Sequence, residues 1–67
     1  MYTFEEYLKL CDRRNLENPA WRSGQTYFNT LVEIRPSISE KLRGTDIDCF
    51  YSDAKIAAFL TKVKELW

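Results

Sequence analysis

An all-α fold, a single small domain of three longer helices plus one short helix over residues 1–67, is what this sequence predicts. Three observations carry that expectation. Apolar residues recur at helical spacing in three separate stretches, and no segment of strand length alternates with period two. Pro19, Pro36 and Gly44 punctuate the gaps between those stretches. At 67 residues the chain is near the lower limit of what one hydrophobic core holds together, so one domain is the ceiling.

Residues 3–14 are expected to form the first helix. Thr3 and Glu6 have capping-box spacing, and Phe4, Tyr7, Leu8 and Cys11 recur on one face. Glu5, Glu6, Lys9, Asp12 and Arg13 take the other face, toward solvent. Residues 15–18 read as a connector, with Asn18 and Pro19 as a cap followed by proline in the first turn of the next helix. That second helix starts at Pro19 or at Ser23 and ends near Arg35, because Pro36 disfavours helical geometry in the residue before it. Gly24, Tyr27, Phe28, Leu31 and Ile34 form its apolar side; Thr26, Thr30 and Glu33 fall on the polar one. Gly24 either admits a neighbouring helix or belongs to a first turn capped by Ser23.

Ser37 and Glu40 repeat the capping-box spacing, and Ile38 with Leu42 makes one apolar pair before Gly44 stops a short third helix. Residues 45–51 follow as a loop that gathers Asp46 and Asp48 beside Phe50 and Tyr51. Ser52 or Asp53 is expected to cap the last helix, whose stripe is Ile56, Phe59, Leu60, Val63 and Trp67. Phe4, Tyr7, Tyr27, Phe28 and Phe59 are the expected core aromatics. Tyr2, Trp21, Phe50, Tyr51 and Trp67 lie at ends or in the acidic loop, where full burial is harder.

Composition narrows the function. There is no histidine, which removes the commonest general base and the commonest transition-metal ligand. Two cysteines and two glycines do not suffice for a zinc cluster, a phosphate-cradling loop or a disulfide framework. The chain is therefore not expected to be an enzyme, and no cofactor and no metal is expected. Asp46, Asp48 and Asp53 lack the glycine and terminal glutamate of a calcium loop. Cys11 and Cys49, 38 positions apart, are expected to be free, part-buried thiols. With no apolar run approaching the ~20 residues of a membrane span and no signal-peptide pattern, the expected setting is cytoplasmic.

Ten basic and ten acidic residues cancel, but unevenly. Residues 1–21 sum to −1, residues 22–43 to +2, and residues 44–67 to −1. Three of the four middle cations are arginines, Arg22, Arg35 and Arg43, a residue type that makes planar bidentate contacts and stacks on aromatic rings. Tyr, Trp and Arg are enriched at binding hot spots. The favoured reading is a small protein–protein interaction module whose partner-binding residues are Trp21, Arg22, Arg35, Arg43, Phe50 and Tyr51. The arginines would supply charged hydrogen bonds and the aromatics apolar anchors. A structural alternative pairs Arg35 and Arg43 with Asp46, Asp48 or Asp53.

Two further functions stand beside it. The segment from Arg22 to Arg43 has the outline of a helix-turn-helix, with residues 38–43 as recognition helix, and would make a small nucleic-acid-binding regulator. Its weakness is that Lys41 and Arg43 are the only cations on that helix, against the phosphate contacts that dominate such binding. The other is a self-associating structural component, completing its burial against its own copies.

From Trp21 to Leu60 the ordered pairs Trp21-Arg22, Gly24-Gln25, Phe28-Asn29, Arg35-Pro36, Arg43-Gly44-Thr45 and Phe50-Tyr51 make the chain resemble a group of short uncharacterised proteins of bacteria and tailed phages. The resemblance spans about 40 of the 67 residues and leaves out residues 3–14. It implies a small intracellular protein, phage-encoded in part of the group, of the kind that binds or inhibits a host protein. It transfers no catalytic residue.

Overall fold

Thr3 and Glu6 open the first helix as a reciprocal capping box. The Thr3 hydroxyl accepts from the Glu6 N–H, and Glu6 Oε1 accepts from the Thr3 N–H at 2.8 Å. The computed structural model describes residues 2–67, and in it this helix, α1, runs Phe4–Glu17. It extends through residues expected to form a connector. Asn18 ends it, donating both its backbone N–H and its side-chain N–H to the Arg14 carbonyl, and the Asn15 side chain is drawn toward the next helix by the Thr26 hydroxyl.

Helix α2, Ser23–Ile34, starts at the later of the two expected positions, and residues 19–22 form a turn ahead of it. A single residue, Arg35, ends α2 and begins α3, Pro36–Leu42. Pro36 at the first helical position lacks only a donor that would have gone unpaired there. Ser37 is thus inside the helix, so the capping box expected from Ser37 and Glu40 does not form. Gly44, at φ +73°, turns the chain away after α3. Irregular turns lead to a short 3-10 turn, Asp53–Lys55, which continues into α4, Ile56–Leu66. Ser52 precedes that turn, and neither it nor Asp53 caps α4 with its side chain.

The fold is all-α, and α2 is its centre, packed on α1 at one side and on α3 at the other. That position explains the one substantial error in the expected faces. Thr26 and Thr30, assigned to a polar side, are buried, because a helix covered from two directions hides more than one stripe. Tyr7, Cys11, Phe28, Leu31, Ile38, Leu42, Cys49, Phe59 and Val63 form the core. Tyr7 meets the requirement of a buried phenol by donating to the Tyr27 carbonyl at 2.7 Å. Arg14 forks onto the Glu33 carboxylate and ties α1 to α2 at the surface. Among the described residues no helix is long and apolar enough to cross a membrane.

Candidate functional site

The loop after α3 is held by an aspartate. Asp48 Oδ2 accepts from the Gly44 N–H at 2.8 Å, and Asp48 Oδ1 from the Phe50 N–H at 2.9 Å. A short side chain that accepts from neighbouring backbone donors is the usual way such a loop is fixed without regular structure. Both carboxylate oxygens are thereby occupied, and the loop delivers Phe50 and Tyr51 to the α2–α3 side of the molecule.

There the rings stack edge to face. Phe50 meets Phe28 at a centroid distance of 5.9 Å and 83°, and Tyr51 meets Phe50 at 4.8 Å and 73°. Arg43 lays its guanidinium over the Phe28 ring, 5.2 Å from the centroid. Between these groups is a hollow of about 260 Å³, lined by Phe28, Arg43, Gly44, Asp48, Phe50 and Tyr51. Phe28 is buried, Phe50 half-buried, and Tyr51 is 83% exposed. Arg22 closes the back of the loop, donating from Nη2 to the Phe50 carbonyl at 2.6 Å and standing 3.9 Å from Asp53.

Four of the six residues expected to bind a partner therefore share one region: Arg22, Arg43, Phe50 and Tyr51. Trp21 is exposed in the turn before α2. Arg35 is used otherwise. Its guanidinium stacks on Trp67 at 4.8 Å, and its Nη2 reaches the Trp67 carbonyl at 3.4 Å. Trp67 in turn donates from Nε1 to the Tyr2 carbonyl and packs against Phe4 and Tyr7, so it is a lid on the core that ties the residues after α4 to those before α1. Nor do Arg35 and Arg43 pair with the loop aspartates. Arg43 Nε lies 3.4 Å from Glu40, one helical turn back, and the arginine beside Asp53 is Arg22.

Sequence reasoning passed over Phe28 as a wall of the site, since its place on the α2 stripe marks it as core. The signal was its neighbour in space: only the chain's return at Phe50 brings that buried ring into the lining of the hollow. A second, open groove of about 520 Å³ lies between the start of α1 and α4, lined by Thr3, Phe4, Glu5, Leu8 and Lys64, and holds none of the expected site residues.

Both cysteines belong to the core. Cys11 and Cys49 are free and buried; burial raises the thiol of Cys11 to about 11 and that of Cys49 to about 12. Neither has the depressed pKa of a nucleophilic cysteine. Among the described residues no three His, Cys, Asp or Glu side chains cluster as metal ligands would. No protein-family model, no curated protein and no solved structure matches this chain.

Proposed function

We propose that this chain is a non-enzymatic protein-interaction module that docks its partner on the face built by Arg22, Arg43, Phe50 and Tyr51. The observation that carries the reading is Tyr51: a large aromatic side chain left 83% exposed, on a loop pinned by Asp48, at the rim of a hollow floored by Phe28. A tyrosine beside an arginine over a preformed apolar depression is the composition of a binding hot spot. The loop's fixed backbone lowers the ordering cost that binding would otherwise incur. The hollow is smaller than the ~300 Å³ at which small-molecule pockets begin, which favours a partner's side chain as its occupant. The resemblance to short bacterial and phage proteins favours a host protein as partner and the cytoplasm as setting.

The nucleic-acid reading has less support. α2 and α3 meet through one residue, where a helix-turn-helix has a turn of ~3–4. The exposed side chains of α3 are Pro36, Ser37, Glu40 and Lys41, one anion against one cation.

Affinity capture from a host lysate tests the face. Wild type, Arg35→Ala and the double variant Arg43→Ala/Tyr51→Ala are compared, each verified as folded by circular dichroism. The double variant is expected to lose the captured protein and Arg35→Ala to keep it. Equal recovery by all three would sink the reading.

A further inference from the structure

Cys11 and Asn15 stand one turn apart on α1, with Asp12 beside them, and Ser23, Thr26 and Tyr27 lie within one turn of α2. The two groups meet where the helices pack, and the Thr26 hydroxyl donates across the joint to Asn15 Oδ1 at 3.0 Å. Between them is a narrow crevice of about 20 Å³, lined by these six residues. Cys11 and Thr26 make its buried floor, Ser23 and Tyr27 are half-buried, and Asp12 and Asn15 form an exposed rim.

The lining has more hydrogen-bonding capacity than it uses. Among the described residues the Asp12 carboxylate, Asn15 Nδ2, Ser23 Oγ and Tyr27 Oη take part in no hydrogen bond or ion pair. The Thr26 hydroxyl has its proton engaged by Asn15 and the Arg22 carbonyl and keeps its capacity to accept. Burial, and after it the charge of Asp12, raises the pKa of the Tyr27 phenol, so that hydroxyl stays protonated and remains a donor.

These groups are of both kinds. Asp12 and Thr26 accept, whereas the Asn15 amide N–H, Ser23 and Tyr27 donate. A cation would face the donors, and an anion would face the carboxylate. Water does both at once. The crevice volume exceeds the ~10–15 Å³ that one water needs, and a water with ~2–4 polar partners is the kind that stays ordered in a protein.

We propose that the crevice is a binding site for a single ordered water that links α1 to α2, accepting from the Ser23 hydroxyl and donating to the Asp12 carboxylate above the floor of Thr26 and Cys11. The site lies apart from the face of Arg43, Phe50 and Tyr51 and does not depend on that reading. It gives the Ser23 hydroxyl, which caps no helix, a structural use.

Magnetic relaxation dispersion of the water oxygen nucleus counts long-lived waters in solution. The wild type is expected to hold at least one, Asp12→Ala/Ser23→Ala to hold one fewer, and Asp12→Asn, which keeps an acceptor, to match the wild type. Circular dichroism verifies that each variant is folded. A crystal structure of the wild type is expected to show one oxygen within hydrogen-bond distance of both Ser23 Oγ and Asp12. That structure decides the matter if the double variant fails to fold. No long-lived water in the wild type, or an equal count in the folded double variant, overturns the proposal. So does loss of the water on addition of sodium or potassium chloride, which would make the crevice a cation site.

Discussion

Asp53 caps helix α2 from 29 positions away: its Oδ1 accepts from the Gly24 N–H at 2.9 Å. A helix N-terminus needs an acceptor for its first donors. The residue at the N-cap, Arg22, has a side chain that only donates, although Gln25 Oε1 does accept from the Arg22 N–H at 2.9 Å. The carboxylate that would have capped α4 is used on α2 instead, which fixes the loop of residues 45–52 against the start of the central helix.

Asp53→Ala is therefore expected to destabilise the fold by about 1 kcal/mol, lowering Tm by roughly 4–8 °C for a domain of this size. Asp53→Asn, which keeps an acceptor, should recover most of that loss. Thermal melts by circular dichroism measure both, and equal Tm values for Asp53→Ala and the wild type would show that the cap contributes nothing.

Gly24 is the companion of that contact. A Cβ there would stand 2.1 Å from the Cys49 carbonyl oxygen, a backbone atom that cannot swing aside. Gly24→Ala is expected to destabilise by about 1–3 kcal/mol, although alanine is intrinsically the better helix former by roughly 1 kcal/mol. Denaturant titration reports the sign, and stabilisation would mean that the loop does not approach so closely.

Thr30 gives the opposite sign. Its Oγ1 is buried with no hydrogen-bond partner, beside the Cys11 thiol, a weak one at best. An unpaired buried hydroxyl costs about 1–3 kcal/mol, so Thr30→Val, which keeps the shape and removes the oxygen, is expected to stabilise by about 1 kcal/mol. A loss of stability in chemical unfolding would mean that the hydroxyl has a partner.

The buried thiols set the alkaline limit of the fold. Both have folded-state pKa values raised by burial, to about 11 for Cys11 and about 12 for Cys49, above the ~8.5 of an unfolded cysteine. Above that lower value the unfolded chain loses protons that the folded chain keeps. Stability is therefore whole below about pH 8.5 and falls as pH rises through the folded values, at up to about 1.4 kcal/mol per pH unit per thiol. Tyr7, raised further by its own burial, adds in the same direction at higher pH. Melts between pH 7 and 11 should show this slope, and Cys49→Ala should make it shallower whatever its effect on absolute stability.

Arg35 and Tyr51 should separate stability from binding. Arg35→Ala removes the stack on Trp67 and is expected to lower stability by about 0.5–1 kcal/mol with the captured partner retained. Tyr51→Ala, exposed, should change stability by less than about 0.5 kcal/mol while partner capture falls. Melts and capture run on the same two proteins check both halves, and the reverse pattern would exchange their roles.

The helices were legible in the residues because their signals are local. Thr3 and Glu6 are three positions apart, Gly44 ends α3 by its own backbone freedom, and Phe59 and Val63 repeat at the helical period whatever surrounds them. The aromatic and arginine character of the candidate face was legible too, since residue type alone marks Arg22, Arg43, Phe50 and Tyr51. What the sequence by itself determined is thus an all-α chain with a surplus of aromatics and a basic middle. Only the tertiary structure decided which of those residues meet. The burial of Thr26 and Thr30, the withdrawal of Arg35 onto Trp67, the use of Asp53 on α2 and the place of Phe28 in the lining of the hollow all depend on contacts between residues distant along the chain. Such contacts are set by how the helices stack, and a period of 3.6 residues says which side of a helix is apolar but not how many neighbours will cover it.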